Sequence, residues 1–102
     1  MFYAAYRDHN GEEHGNLYFS HQEYFRDTFS PETESLAYIP FKVSGKTYQE
    51  KQESVRNQAI EFSLAFTYGH LSYEELHIIQ SWFHRNGSRY GLIKEFHENA
   101  IC

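Results

Sequence analysis

Three stretches of this chain carry the same helix-start signature, and they constrain its architecture more than any other feature. Ser20-His21-Gln22-Glu23, Thr47-Tyr48-Gln49-Glu50 and Ser72-Tyr73-Glu74-Glu75 each place a hydroxyl three residues ahead of a glutamate. At that spacing the hydroxyl accepts the amide of the third helical residue, and the glutamate reaches back to the cap amide. Two of the amides that every helix start leaves unpaired are then satisfied. The first start predicts a short helix over residues 22–29, closed by Ser30-Pro31. The second predicts the longest helix, residues 48–68, with Val55, Ala59, Phe62 and Phe66 on one face, Ile60 and Ala65 beside them, and Gly69 as the stop. The third predicts a helix over 73–85 with Leu76, Ile79 and Phe83 inward, ending at Asn86-Gly87. A fourth helix follows over 89–99, with Leu92, Ile93 and Phe96 inward and Gly91 allowing a close approach between helices.

The remaining segments read as strands. Phe2–Arg7 is aromatic-rich, and Asn10-Gly11 is a two-residue hairpin turn, so 16–19 returns as the partner. Residues 36–43 alternate Leu36, Tyr38, Pro40 and Lys42 with Ala37, Ile39, Phe41 and Val43. Pro40 lacks an amide donor, which places this strand at a sheet edge. The expected fold is α+β: a small antiparallel sheet, made of the N-terminal hairpin plus one edge strand, packed on the long helix, with a C-terminal helical hairpin. The expected core is Phe41, Val55, Ala59, Phe62, Phe66, Leu76, Ile79, Phe83, Leu92 and Phe96. At 102 residues the chain reads as a single domain spanning residues 1–102.

Nine Phe, nine Tyr and one Trp are more aromatic groups than a core of this size takes in easily. Tyrosine tolerates a half-wet site, which puts the surplus in an interface. Tyr3, Tyr6, Tyr18 and Tyr24 are the expected docking anchors, with Asp8, Glu12 and Glu13 as their charged rim. The net charge of −5 is uneven: through Ser35 two arginines face seven carboxylates, and from Leu36 onward seven basic residues balance seven acidic ones. An acidic end steers a basic protein partner and disfavours nucleic acid, which needs a basic footprint.

Sites for chemistry are sparse. There is no Gly-x-Ser-x-Gly, no Cys-x-x-Cys and no His-Glu-x-x-His. Gly45-Lys46-Thr47 ends like a phosphate loop, but Pro40 stands where the earlier glycine is needed. The Glu12-Glu13 and Glu74-Glu75 pairs have no cleft to span in so short a chain. His70, His77 and His84 fall seven apart, about two turns, too far for His77 and His84 to share an ion. Glu74 and His77 are half of a di-metal bundle motif whose second half is missing. His9 and His14, with Asp8 and Glu13, could gather a cation across the hairpin, and a plain polar turn explains them as well. Cys102 lies at the end of the sequence, where chains fray, and a lone cysteine forms no internal disulfide. The expectation is therefore no catalysis, no metal and no cofactor.

With no basic leader or long apolar run, and a single thiol, the chain is expected to be cytoplasmic with no membrane contact. Compact, acidic, aromatic-rich and free of motifs, it is similar in type to short accessory proteins of phages and mobile elements, a likeness carried by no particular residue. The function expected is a non-enzymatic protein-binding module that modulates a host protein. Two alternatives stand beside it. One is a DNA-binding accessory factor that uses the C-terminal helix pair, a helix-turn-helix in outline, through Arg85, Arg89 and Lys94, with Glu95 and Glu98 working against it. The other is a self-associating structural protein, since a tyrosine-rich face serves a homo-oligomer equally well.

Overall fold

The computed structural model describes every residue except His70. The chain runs β1 (Phe2–Arg7), β2 (Glu13–Tyr18), α1 (His21–Asp27), β3 (Glu34–Ile39), α2 (Tyr48–Ala65), a 3-10 turn (Phe66–Tyr68), α3 (Tyr73–Arg89) and α4 (Ile93–Glu98). The strands form one antiparallel sheet in the order β2-β1-β3, with β1 central and β3 at an edge. The architecture is α+β: a three-stranded sheet, a long second helix and a C-terminal helix pair.

The hairpin uses three loop residues rather than two. The Asp8 amide bonds to the Glu12 carbonyl (2.9 Å), the Gly11 amide to the Asp8 carbonyl (3.0 Å), and Gly11 alone in the loop takes a positive φ of 82°. The Asp8 carboxylate accepts the amides of Asn10 (2.9 Å) and Glu12 (3.0 Å), which fixes the loop and makes Asn10 a turn residue without left-handed geometry. The partner strand therefore starts at Glu13 rather than 16.

β3 ends at Ile39, earlier than the alternation suggests. Pro40 offers no amide to the ladder, and Phe41 turns to a left-handed φ of 49°, which drives its ring into the core against Trp82 (centroids 5.4 Å) and Phe83 (5.7 Å). Such a backbone costs about 1–3 kcal/mol for a residue with a Cβ. The neighbouring backbone is clamped by buried Gln58: its Oε1 accepts the Lys42 amide (3.0 Å) and its Nε2 donates to the Lys42 carbonyl (2.7 Å).

α2 and α3 open with complete capping boxes at Thr47/Glu50 and Ser72/Glu75, whereas α1 has only the Ser20 half. α3 runs straight through Asn86-Gly87 to Arg89. A Cβ on Gly87 would lie 2.8 Å from the Phe96 ring, so this glycine lets α4 pack close to α3. The stop is Gly91 at φ 71°, where the Leu92 amide bonds back to the Gly87 carbonyl (2.7 Å) in a Schellman motif. The roles expected of the two glycines are thus exchanged, and α4 is only six residues long.

The main core lies between the sheet and α2, α3 and α4. It includes Tyr3, Ile39, Phe41, Val55, Ala59, Phe62, Ile79, Phe83, Leu92 and Phe96. Phe66 is exposed, because α2 gives way to the tighter 3-10 turn there and the apolar stripe loses its phase, and Leu76 of α3 packs half-buried against the core. A second, smaller cluster of Phe2, Ala4 and Tyr18, with Tyr24 against it, occupies the opposite sheet face under α1. No helix of the described residues is long and apolar enough to cross a membrane.

Candidate functional site

The four tyrosines expected to anchor a partner are mostly inside. Tyr3 is fully buried. Its hydroxyl donates to the Ala65 carbonyl (2.9 Å), and burial, then the neighbouring Tyr68, pushes it up to about 12. Tyr6 is buried with its ring stacked on His14 (5.0 Å). Tyr18 is buried and donates to Asp27 (2.8 Å), and burial together with that carboxylate raises its hydroxyl further still. Tyr24 is half-buried against Phe2 and Tyr18. Tyr18, on β2, is covered by Tyr24 of α1, and for Tyr3 and Tyr6 the physical reason is the central position of β1. Both its faces are covered, so parity along the strand chooses between two cores rather than between core and water. The signal was present in the sequence: Phe2 to Tyr6 is an unbroken apolar run, the pattern of a strand buried on both sides.

The aromatic surface lies elsewhere. α1 contributes no buried residue and presents Phe25, 61% exposed, with Phe29 beyond its end at 89%. Tyr38, at 45%, comes up beside it from the edge strand β3. His21 joins the two: its ring is 6.4 Å from Phe25 and 6.5 Å from Tyr38, it meets the Tyr38 hydroxyl at 3.2 Å, and it stacks on buried Phe2 at 4.7 Å. The result is a continuous band of rings, Phe25–His21–Tyr38 over Phe2, open to solvent along the α1–β3 side.

Around this band the charge is negative. Between Phe19 and Tyr38 four carboxylates, Glu23, Asp27, Glu32 and Glu34, face one arginine, Arg26. Of the expected rim, Glu12 and Glu13 are exposed and Asp8 is not free. Asp8 also meets His14 Nε2 (2.9 Å), and that contact, with the Glu12 and Asn10 amides, holds its carboxyl below its ordinary value against desolvation. Glu13 and Glu34 both pair with Arg7 (3.1 and 3.0 Å), tying the two outer strands across β1. A triad of ligand-type groups, Asp8, Glu12 and His14, does form at the hairpin, with Glu12 in the place expected of Glu13 and without His9.

Arg85, Arg89 and Lys94 are exposed at the C-terminal pair. Arg89 lies 5.7 Å over the Tyr90 ring. The turn that a helix-turn-helix would place at Asn86-Gly87 is helical, and the six residues of α4 span about 9 Å, short for a groove-reading helix. Glu95 pairs with Arg56 of α2 (3.0 Å), which buttresses the pair against the long helix.

Among the described residues no buried side-chain polar atom lacks a partner. A second apolar surface runs along α2, where exposed Ile60 and Leu64 border a hollow of about 500 Å³ reaching Phe96 and Ile101. Comparison of the chain with protein-family models, with curated proteins and with solved structures gives no match.

Proposed function

We propose that this chain is a non-enzymatic binding module that docks, through the Phe25–His21–Tyr38 band, onto a protein whose own patch is apolar with a basic rim. The observation that carries the reading is that band: large rings held in solvent on a short helix in the acidic third of the chain and on the edge strand that follows it. Exposed rings that touch one another, with His21 stacked on buried Phe2, keep fewer rotamers to lose on binding, which favours them as anchors. The acidic surround decides the class of partner. Two copies meeting through this face would bring like charges together, whereas a basic rim gains from the same charges. The reading includes a cytoplasmic setting and a role as modulator of the bound protein, in the manner of accessory proteins of mobile elements.

A second reading, self-association, draws on Ile60 and Leu64, which sit outside the acidic third. Two double variants separate the readings, Phe25→Ser with Phe29→Ser and Ile60→Ser with Leu64→Ser. All four positions are exposed, so both variants are expected to keep native circular dichroism. The purified chain is expected to be monomeric, and a partner recovered by affinity capture is expected to lose at least tenfold in affinity for the first variant only. A dimer that dissociates in the second variant, with capture unaffected in the first, would replace docking by self-association.

A further inference from the structure

We propose that His84, His97 and Cys102 form a zinc site with two imidazole nitrogens, one thiolate and a fourth position open to solvent. The three residues come from α3, α4 and the segment after α4, and one ligand atom from each lies within 4.8 Å of the others. Ligands about 2.0–2.3 Å from zinc at tetrahedral angles stand roughly 3.3–3.7 Å apart. The groups thus need to close by about 1 Å or a little more, a rotamer adjustment open to two exposed histidines and a half-buried cysteine. The imidazole rings are already near parallel, 20° between planes with centroids 6.4 Å apart.

The cysteine is held rather than frayed. α4 ends in a second Schellman motif, with the Ile101 amide bonded to the Phe96 carbonyl (2.9 Å) and the Ala100 amide to the His97 carbonyl (3.3 Å). Ala100 carries the required left-handed φ of 56°, a conformation rare for a residue with a Cβ. Ile101 is buried in the core, and this anchors Cys102 beside the two histidines. On α3 alone the seven-residue spacing of His77 and His84 ruled out a shared ion; the further ligands come from α4 and the turn after it. A donor set of two nitrogens and one sulfur suits zinc and not calcium or magnesium, which take oxygen. A thiol loses its proton when it ligates the ion, and burial, which raises Cys102, works against that loss. Binding forms a zinc–sulfur bond and releases that proton to buffer. An ion here would join α3 to the end of α4 and leave one coordination position for water or an incoming ligand.

The test uses the full chain in a non-thiol reductant. Cobalt titrated as a zinc probe is expected to bind one to one and to show a thiolate-to-cobalt charge-transfer band, displaced by zinc. Free zinc a hundredfold above its dissociation constant is expected to raise Tm by roughly 10 °C. Cys102→Ser, His84→Ala and His97→Ala are each expected to keep the metal-free Tm within a few degrees and to weaken binding at least tenfold, and Cys102→Ser also to abolish the charge-transfer band. His14→Ala is expected to change none of this. A wild-type chain with no charge-transfer band overturns the proposal. So does zinc stabilisation that survives Cys102→Ser and is lost in His14→Ala, which would place the ion at the hairpin triad.

Discussion

Gly87 and Gly91 are four residues apart and chemically identical, yet they do opposite work. Gly87 is helical and makes room, with a Cβ there falling 2.8 Å from the buried Phe96 ring. Gly91 has open space around it apart from the Tyr48 hydroxyl at 3.3 Å, but its φ of 71° is the left-handed region. Both alanine variants are expected to be destabilised, by different physics. Gly87→Ala gains about 1 kcal/mol of helix propensity and loses about 1–3 kcal/mol to overpacking against Phe96. Gly91→Ala loses about 1–2 kcal/mol to backbone strain. Shrinking Phe96 to Leu relieves only the first. Denaturant unfolding of two double-mutant cycles, each glycine variant with and without Phe96→Leu, is therefore expected to give a coupling of about 1 kcal/mol between Gly87 and Phe96 and none between Gly91 and Phe96. Equal coupling for both glycines would mean that α4 shifts as a body and that neither role is local.

At the scale of elements, the joints between helices and sheet rest on a few polar contacts, and Glu75 is the most consequential. It closes the α3 capping box through Ser72 and also accepts the Leu17 amide of the edge strand β2 at 3.0 Å. Burial alone would raise its carboxyl, but the Leu17 and Ser72 amides outweigh that and hold it below its ordinary value of 4.5. A depressed folded value means the stabilisation is complete above the unfolded value and is lost as pH falls through the folded one. Replacing Glu75 by Gln is expected to cost about 1–2 kcal/mol at pH 7, since one charge-assisted contact joins two elements. The deficit should shrink as the pH falls below the ordinary carboxyl value of 4.5 and through the lower folded one. Thermal unfolding of both chains from pH 3 to 7 checks this, and a deficit independent of pH would show that the carboxylate charge plays no part.

The same capping boxes explain why the helix starts were legible in the sequence: a cap is a contact between residues three apart and needs no tertiary context. The ends were less so. Asn86-Gly87 looks like a stop, and only the position of Phe96 shows that it is not. The β3 terminus likewise depends on Gln58, 16 residues beyond Lys42, clamping the backbone there. Site residues were harder again. The alternation rule assigns a face but not what covers it, so Tyr3 and Tyr18 read as surface anchors although both faces of the sheet are covered. Phe25 and Phe29 passed as ordinary helix residues, because a seven-residue helix that buries nothing looks in sequence like one that buries half of itself.

For the molecule as a whole, the asymmetry of charge is the property that outlives these local corrections. The full net charge of −5 resides in the residues through Ser35, and the remainder is neutral. Six of the seven carboxylates there are exposed, and although Glu13, Asp27 and Glu34 also hold fixed partners, all six act on an approaching molecule through solvent. Fields of this kind change the rate of encounter more than the lifetime of the complex, and they fade as salt shortens the Debye length from about 30 Å at 0.01 M to about 8 Å at 0.15 M. Glu12 and Glu13 sit at the hairpin tip, on the acidic end of the chain but away from the Phe25–His21–Tyr38 band. Reversing both to Lys changes the net charge by four without touching the rings, at the loss of the Glu13–Arg7 pair, a surface contact worth at most about 1 kcal/mol. With the captured partner in hand, association measured by stopped flow is expected to slow about tenfold at low salt and by less than twofold at 0.5 M, with dissociation unchanged. If dissociation accelerates instead, the hairpin tip lies inside the interface, and the docking face extends from α1 across the end of the sheet. If neither rate moves at low salt, the partner is not basic, and the rings alone select it.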